Sequence, residues 1–250
     1  MLKIAIFSDV HSNLPALKAV LADIDIHKVD QIYCLGDLVD FAPWTNEVIE
    51  LIRSRNIPTI MGNHDERIAY DTPLKRLKKH SDAEATARVQ AIDFTRRDIS
   101  IANKEFLAHL PGQIMLNFIF NGKPLKLLLV HASSRSNDEY VYEDHEEKDL
   151  LDMLDTSQAD VMVMGHTHLS YIRQLGRGKT VINCGSVGRT KEVLQRAVYV
   201  LITLSSEDKG CNVNFEIIKL VYDVRETVEG IRKSTIPDFY ADFLKQGPPA

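Results

Sequence analysis

Five apolar runs in this chain stop at residues able to bind a metal or move a proton, and this recurrence constrains the fold more than any other feature. Leu2–Phe7 runs into Ser8-Asp9-Val10-His11, residues 31–35 into Gly36-Asp37, and 57–61 into Gly62-Asn63-His64-Asp65. Residues 125–130 end at His131, and Val161–Met164 ends at Gly165-His166-Thr167-His168. In α/β sheets, ligands bind in the crevice outside the carboxyl ends of the strands. Strand ends of this kind therefore bring side chains from distant parts of the sequence to one place.

The segments between these runs set the architecture. A helical pattern over Leu14–His27 carries Leu14, Leu17, Val20, Leu21 and Ile24 on one face. A strand at 31–35, a helix over 48–55 and a third strand at 57–61 continue the alternation, which predicts parallel strands joined by crossover helices. Residues 83–110 read as helix with weak caps, ending at Pro111-Gly112. Beyond them, 114–120, the turn Asn121-Gly122-Lys123-Pro124 and 125–130 form a hairpin. Strands at Val161–Met164, 171–175, 180–182, 197–204 and 213–220 follow, then a helix at Val224–Lys233 and a short terminal segment. So many strands predict two packed sheets flanked by helices, in a single domain over residues 1–250. The polar stretch 133–148 is too short for a linker and reads as a loop.

Composition narrows the partners. A hydrophobic fraction of 44% and a charged fraction of 26% are those of an ordinary globular protein. No apolar run approaches the roughly 20 residues of a membrane-spanning helix, so no membrane partner is expected. The N-terminus reads as a strand, without the cleavage site of a signal peptide. A net charge of −5 argues against bulk nucleic-acid binding but leaves room for a small phosphoester, because bound cations reverse the local field. The three cysteines, Cys34, Cys184 and Cys211, lack C-x-x-C spacing. Disulfide scaffolds and thiolate zinc sites are therefore not expected, and a reducing cytoplasm fits.

Taken singly, each polar fragment has an ordinary explanation as a cap, a turn or a hydrogen-bonded core histidine. Together, all at strand ends, they match a site for two divalent cations. Such ions accept carboxylate, amide oxygen and imidazole, and no thiolate is supplied. Two cations roughly 3.5–4 Å apart need an anion between them, and Asp37, isolated on its own strand end, is the expected bridge. A hydroxide shared by both ions is the expected nucleophile, since metal binding lowers the pKa of water. His166 and His168, two positions apart on an extended segment, diverge and are expected to serve different ions.

These motifs, spanning residues 9 to 168, resemble the calcineurin-like metallophosphoesterases. The strings Asn46-Glu47-Val48-Ile49-Glu50-Leu51-Ile52-Arg53 and Asn183-Cys184-Gly185-Ser186-Val187-Gly188 look like its small one-domain prokaryotic branch. The resemblance implies a four-layer α/β/β/α sandwich of two mixed β-sheets flanked by helices, with a dinuclear site at the strand C-terminal ends. It places Asp9, His11, Asp37 and His168 on one metal, and Asp37, Asn63, His131 and His166 on the other. The metals expected are manganese, iron or zinc. His64 becomes the proton donor or a phosphate-binding group, and Asp65 is expected to orient it. The implied activity is that of a phosphodiesterase or phosphatase. Two alternatives are a nucleotide-specific hydrolase, acting on dinucleoside polyphosphates or cyclic nucleotides, and a non-catalytic protein-binding scaffold like the retromer subunit. The complete ligand set disfavours the scaffold.

Two departures stand out. Asp40-Phe41-Ala42-Pro43 replaces the Gly-Tyr-Gly-Pro common in similar proteins and adds the charge of Asp40 near the cleft. Cys184 replaces a proline and reads as a packing residue. Arg189 and Arg135 are candidate substrate-phosphate contacts. His27, His80, His109, His145 and the basic run Lys75, Arg76, Lys78 and Lys79 read as surface. The segment 66–112 is expected to cap the site, to pack on the sheet or to join copies of the chain into a homo-oligomer, and the loop 133–148 to shape access.

Overall fold

The computed structural model describes residues 1–74, 81–120, 123–207 and 210–246. The basic run at Lys75, Arg76, Lys78 and Lys79, His80 and the Asn121-Gly122 turn lie outside them. The early alternation becomes β1 (Leu2–Phe7), α1 (Leu14–His27), β2 (Gln31–Cys34) and α2 (Thr45–Ser54). Three helices follow, α3 (Asn63–Ala69), α4 (Asp82–Asp98) and α5 (Ile101–Ala108), then the hairpin β3 (Gln113–Phe120) and β4 (Lys123–Val130). The remainder is α6 (Glu147–Thr156), β5 (Val161–Met164), β6 (Ser170–Gln174), β7 (Thr180–Cys184), β8 (Ala197–Glu207), β9 (Gly210–Leu220), α7 (Val224–Lys233) and α8 (Asp238–Gln246).

Both sheets are mixed. One has the order β2-β1-β8-β9, with β1 parallel to β2 and antiparallel to β8. The other has the order β3-β4-β5-β7-β6, in which β4, β5 and β7 run parallel between antiparallel edges. The period-two alternation of strands decides which side chains meet. Ile4, Ile6, Val200 and Ile202 of the first sheet pack against Leu127, Leu129, Val163 and Ile182 of the second, with Cys184 among them. Ala5 and Phe7 turn outward beneath α1 and α2, whose Leu17, Val20, Ile24, Val48 and Ile52 cover them. Leu128 and Met162 turn the other way, onto Leu150, Met153 and Leu154 of α6. Burying one such side chain stabilises by about 1.5–3 kcal/mol. Four layers result, α/β/β/α.

Three expectations need correction. Residues 57–61 form no strand; they make a single parallel bridge, Cys34 with Thr59, because Pro58 has no N–H to donate to a ladder. The stretch 83–110 is two helices, parted where Ser100 caps α5 by accepting from the Asn103 N–H. The loop after His131 ends in α6, which begins at Glu147. At the C-terminus, α8 folds back so that Tyr240, Phe243 and Leu244 join Phe41, Ala91, Val228 and Ile231 in a separate apolar cluster. The α3–α5 segment packs Ile68, Ile92 and Leu107 onto the core outside the first sheet.

Candidate metal centre

The site is built on strained backbone. Asp9, His11, Asp37, His166 and His168 all have left-handed conformations, with φ of 56°, 51°, 54°, 66° and 63°. Each such residue costs on the order of 1–3 kcal/mol and persists only where its surroundings hold it. Hydrogen bonds do so here. Asp9 and His11 donate their backbone N–H groups to the carbonyls of Gly36 and Asp37 at 3.0 and 2.9 Å. The His166 N–H donates to Asp9 Oδ2 at 2.9 Å, and the His64 N–H to Asp37 Oδ1 at 2.8 Å. A side chain on Gly62 is impossible, since its Cβ would lie 2.2 Å from the Asp37 nitrogen. The Gly185-Ser186-Val187-Gly188 turn braces the far side, Ser186 Oγ donating to the Asp9 carbonyl at 2.8 Å.

Two buried groups of potential ligands emerge side by side, Asp9/His11/His168 and Asp37/His131/His166, their ligand atoms within 4.8 Å of one another in each group. Asp37 Oδ2 faces both, 3.8 Å from His11 Nε2 and 3.4 Å from His131 Nε2. Backbone carbonyls fix three of the imidazoles. His11, His131 and His168 donate Nδ1–H to Val39, Leu35 and Arg189 at 3.0, 2.8 and 2.5 Å, which turns each Nε2 toward the centre as the nitrogen that would ligate. His166 instead turns Nδ1 toward Asn63, and its ring lies 4.3 Å from that of Tyr140.

The donor chemistry fits cations. In the first group the Nε2 atoms of His11 and His168 stand 3.1 Å apart, and Asp9 Oδ1, 3.1 Å from His168, is buried without a hydrogen-bond partner. In the second, Asn63 Oδ1 lies 3.1 Å from both His131 Nε2 and His166 Nδ1. Electron pairs gathered in this way need a positive charge among them. Without a cation the reversed Asn63 amide is the satisfied one, donating to His166 and Asp37 while its oxygen accepts from Arg67 at 3.2 Å. Asn63 thus suits an empty site in one orientation and an occupied site in the other.

Charge states follow from burial and neighbours. Burial pushes His166 and His168 down to about 3, so both are neutral and ready to ligate. Burial works against a charge on His131 as well, but Asp37 and Asp9 override it and raise that imidazole to about 10. Burial would raise Asp37, yet His131, His64 and His11 hold it well below the usual carboxylate range. A proton on His131 thus occupies the place of a cation.

His64 sits at the edge of this centre. Its Nδ1 lies 2.5 Å from Asp40 Oδ2, so Asp40 orients the ring. Asp65 has another task. Its carboxylate accepts from the backbone N–H groups of Asp37, Leu38 and Gly62 at 2.7, 2.8 and 3.0 Å, clamping the turn that carries Asp37. The expectation that Asp65 orients His64 is replaced by this division of labour. Burial lowers His64 to about 4, with Asp37 and Asp40 opposing.

An open cleft of about 730 Å³ leads to Asp37, Asn63, His64, His166 and His168. Its walls include Phe41, Arg67, Glu84, Arg88, Tyr140, Tyr142, Arg189, Lys191 and Tyr240. Arg189 therefore reaches the cleft. Arg135 does not line it. Its guanidinium forks onto Glu139 and Asp149, at 2.5 and 2.7 Å for the closest pairs, and staples the loop that carries Tyr140. Tyr171 adds a second staple through its hydroxyl to the Val141 carbonyl at 2.8 Å. Arg67, Arg88 and Tyr240 carried no motif in the sequence, because separate helices bring them to the cleft. Asp40 had a signal, its position three residues after Asp37.

A two-sheet sandwich with paired cation-ready groups at its strand ends defines the class of metallophosphoesterases. Residues 2–207 match the calcineurin-like phosphoesterase superfamily domain, and the chain belongs to that family as a phosphoric ester hydrolase. It is 30% identical to an uncharacterized protein of Methanocaldococcus jannaschii, over 98% of both chains. A UDP-2,3-diacylglucosamine hydrolase of Shewanella pealeana is 28% identical, over 65% of this chain and 79% of the relative. Among solved structures, a metallophosphoesterase of Sphaerobacter thermophilus is 26% identical with a TM-score of 0.73, over 99% of each chain. A hypothetical protein of Pyrococcus horikoshii shares the fold at a TM-score of 0.80 and 20% identity, over the full length of both. No described helix is long and apolar enough to cross a membrane.

Proposed function

We propose that this hydrolase cleaves phosphodiesters of ordinary alcohols at a dinuclear centre. Asp9, His11, Asp37 and His168 hold one divalent cation, and Asp37, Asn63, His131 and His166 the other. One observation carries the reading: the two buried groups lie side by side with Asp37 Oδ2 facing both. When bound, the cations generate a nucleophile from water at neutral pH and offset charge on the phosphoryl oxygens. The chain supplies the rest. Asp37 lends one carboxylate to both groups, and Asp40 holds the His64 ring so that Nε2 is left for the cleft. His64 then hands a proton to the departing oxygen, and an anionic substrate beside it favours the protonated ring, as Asp40 does.

The test is metal analysis of protein purified without chelator, followed by a phosphoester panel on protein loaded with manganese, iron or zinc. Two equivalents of metal per chain and turnover of diesters are expected. Asp37→Asn weakens both sites, and His131→Ala mainly one. A loaded chain that hydrolyses no phosphoester, or that never binds a second cation, ends the reading. A second reading, hydrolysis of a nucleotide-linked diphosphate, is favoured by the name of the Shewanella relative. Faster turnover of a UDP-sugar than of simple diesters would select it.

A further inference from the structure

The two arginines next to the site motifs meet opposite fates. The fork of Arg135 is filled by Glu139 and Asp149. Arg189 has no ion pair among the described residues, and its Nε is buried without a hydrogen-bond partner. Faces rather than charges hold it. Its Cζ lies 4.5 Å from the ring centroid of Phe41, 4.7 Å from Phe243 and 5.5 Å from Tyr240. Tyr240 and Phe243 belong to α8, which lies outside the residues 2–207 matched to the family domain.

The main chain of Arg189 is fixed separately. Its N–H donates to Ser186 Oγ at 2.8 Å, and its carbonyl accepts from His168 Nδ1 at 2.5 Å. The residue thus links a candidate metal ligand to the C-terminal helix. A guanidinium with aromatic rings against its faces offers only the N–H groups of its edge. Those stay charged and need acceptors, and a buried charged donor without one is costly. Arg189 and Tyr240 both line the cleft, as does Arg88 of α4. Burial pushes the Tyr240 hydroxyl up, Asp40 and Glu84 add to that push and both arginines oppose it, so two guanidinium charges and two carboxylates bear on one spot.

Position decides what binds there. The Phe41 ring touches Arg189 and also the rings of His11 and His64, at 4.8 and 4.9 Å between centroids. Phe41 thus contacts both the guanidinium and two imidazoles of the centre, while Arg189 itself belongs to neither potential ligand group. We propose that Arg189, caged by α8 and joined by Arg88 beside Tyr240, forms a subsite for a second phosphate of the substrate. This deepens the hydrolase reading and rests on it for the place of the scissile group.

Calorimetry on the metal-loaded, full-length protein tests it with thymidine 5′-phosphate and thymidine 3′,5′-bisphosphate, which differ by one phosphate. The parent is expected to bind the bisphosphate about 10- to 100-fold more tightly, the usual size for charge-assisted hydrogen bonds. Arg189→Gln should reduce that ratio to a few-fold at most. Arg88→Gln, which leaves the aromatic cage intact, should lower it by about 3- to 10-fold and decides the matter if Arg189→Gln does not fold. Equal binding of both ligands by the parent, or an equal loss on both in the variants, overturns the subsite. The p-nitrophenyl esters of the same two nucleotides report turnover in parallel. Failure of the loaded parent to cleave these esters or any other member of the phosphoester panel overturns the hydrolase reading, and the binding ratio still decides the subsite.

Discussion

Oδ2 of Asp40 lies 2.5 Å from Nδ1 of His64, and both side chains are buried. A carboxylate can only accept, so the hydrogen sits on Nδ1, and Asp40 fixes the tautomer and the plane of the ring. Asp40 is thus a positioning residue that acts through His64. Asp40→Ala and His64→Ala are each expected to lower kcat toward alkyl phosphodiesters by about 10²–10³-fold. The double variant should be no slower than His64→Ala, because residues acting as a unit are not additive. Asp40→Asn keeps an oxygen acceptor and should recover part of the loss. Multiplied losses in the double variant would separate the two residues.

The His131–Asp37 pair makes the metal-free protein sensitive to pH. The folded pKa of His131, about 10, lies above the unfolded value near 6.5. Its contribution is therefore complete below about pH 6.5 and fades as pH rises through 10. Chelator-treated protein should lose Tm steadily across that window. A bound cation replaces the proton, so the loaded protein should show a flatter profile and bind metal more tightly as pH rises. Thermal melts of both forms across the window decide the point. A metal-free Tm that stays level or climbs contradicts it.

Asp65 clamps a turn rather than serving His64. Asp65→Ala leaves the N–H groups of Asp37, Leu38 and Gly62 without their acceptor. Each unsatisfied buried donor costs about 1–3 kcal/mol, so the three together cost about 3–9 kcal/mol and Tm should fall by roughly 6–36 °C. Both metals should be lost as Asp37 moves. If Tm and metal content hold while turnover drops as in His64→Ala, Asp65 acts through His64 after all.

All seven candidate ligands were legible because each belongs to a short local string at the end of an apolar run. Asp9, His11, Asp37, Asn63, His131, His166 and His168 then converge because β1 and β2 run parallel in one sheet and β4 and β5 in the other. Partnerships that cross the chain were not legible. Asp65 is the neighbour of His64 in sequence, yet the helical start at Asn63 turns its carboxylate back to the Asp37 turn, and Asp40 reaches the ring instead. Arg135 follows His131 closely, yet Asp149, on the next helix, neutralises it. The third strand failed on one atom, the hydrogen that Pro58 lacks. Tyr240 and Arg88 reach the cleft only through packing of α8 against α4, which no period in the sequence announces.

The role of His64 can be read from the leaving group. Attack on phosphorus leaves negative charge on the departing oxygen, and an alkoxide needs that charge neutralised as the bond breaks. Proton transfer from a positioned imidazole contributes about 10²–10⁴-fold. It matters most for ribose or alkyl leaving groups and least for p-nitrophenolate, which departs without a proton. His64 contributes no side chain to either potential ligand group, so His64→Ala should keep both metals. Its kcat/KM should fall by about 10²–10⁴-fold on alkyl esters and by much less on p-nitrophenyl esters. If His64 only attracts the phosphate, both substrates lose the same factor, because the attraction does not depend on which oxygen departs. Paired kcat/KM measurements in parent and variant, with metal content checked, distinguish the two. Equal losses would make His64 a binding residue and leave the leaving group without a proton donor.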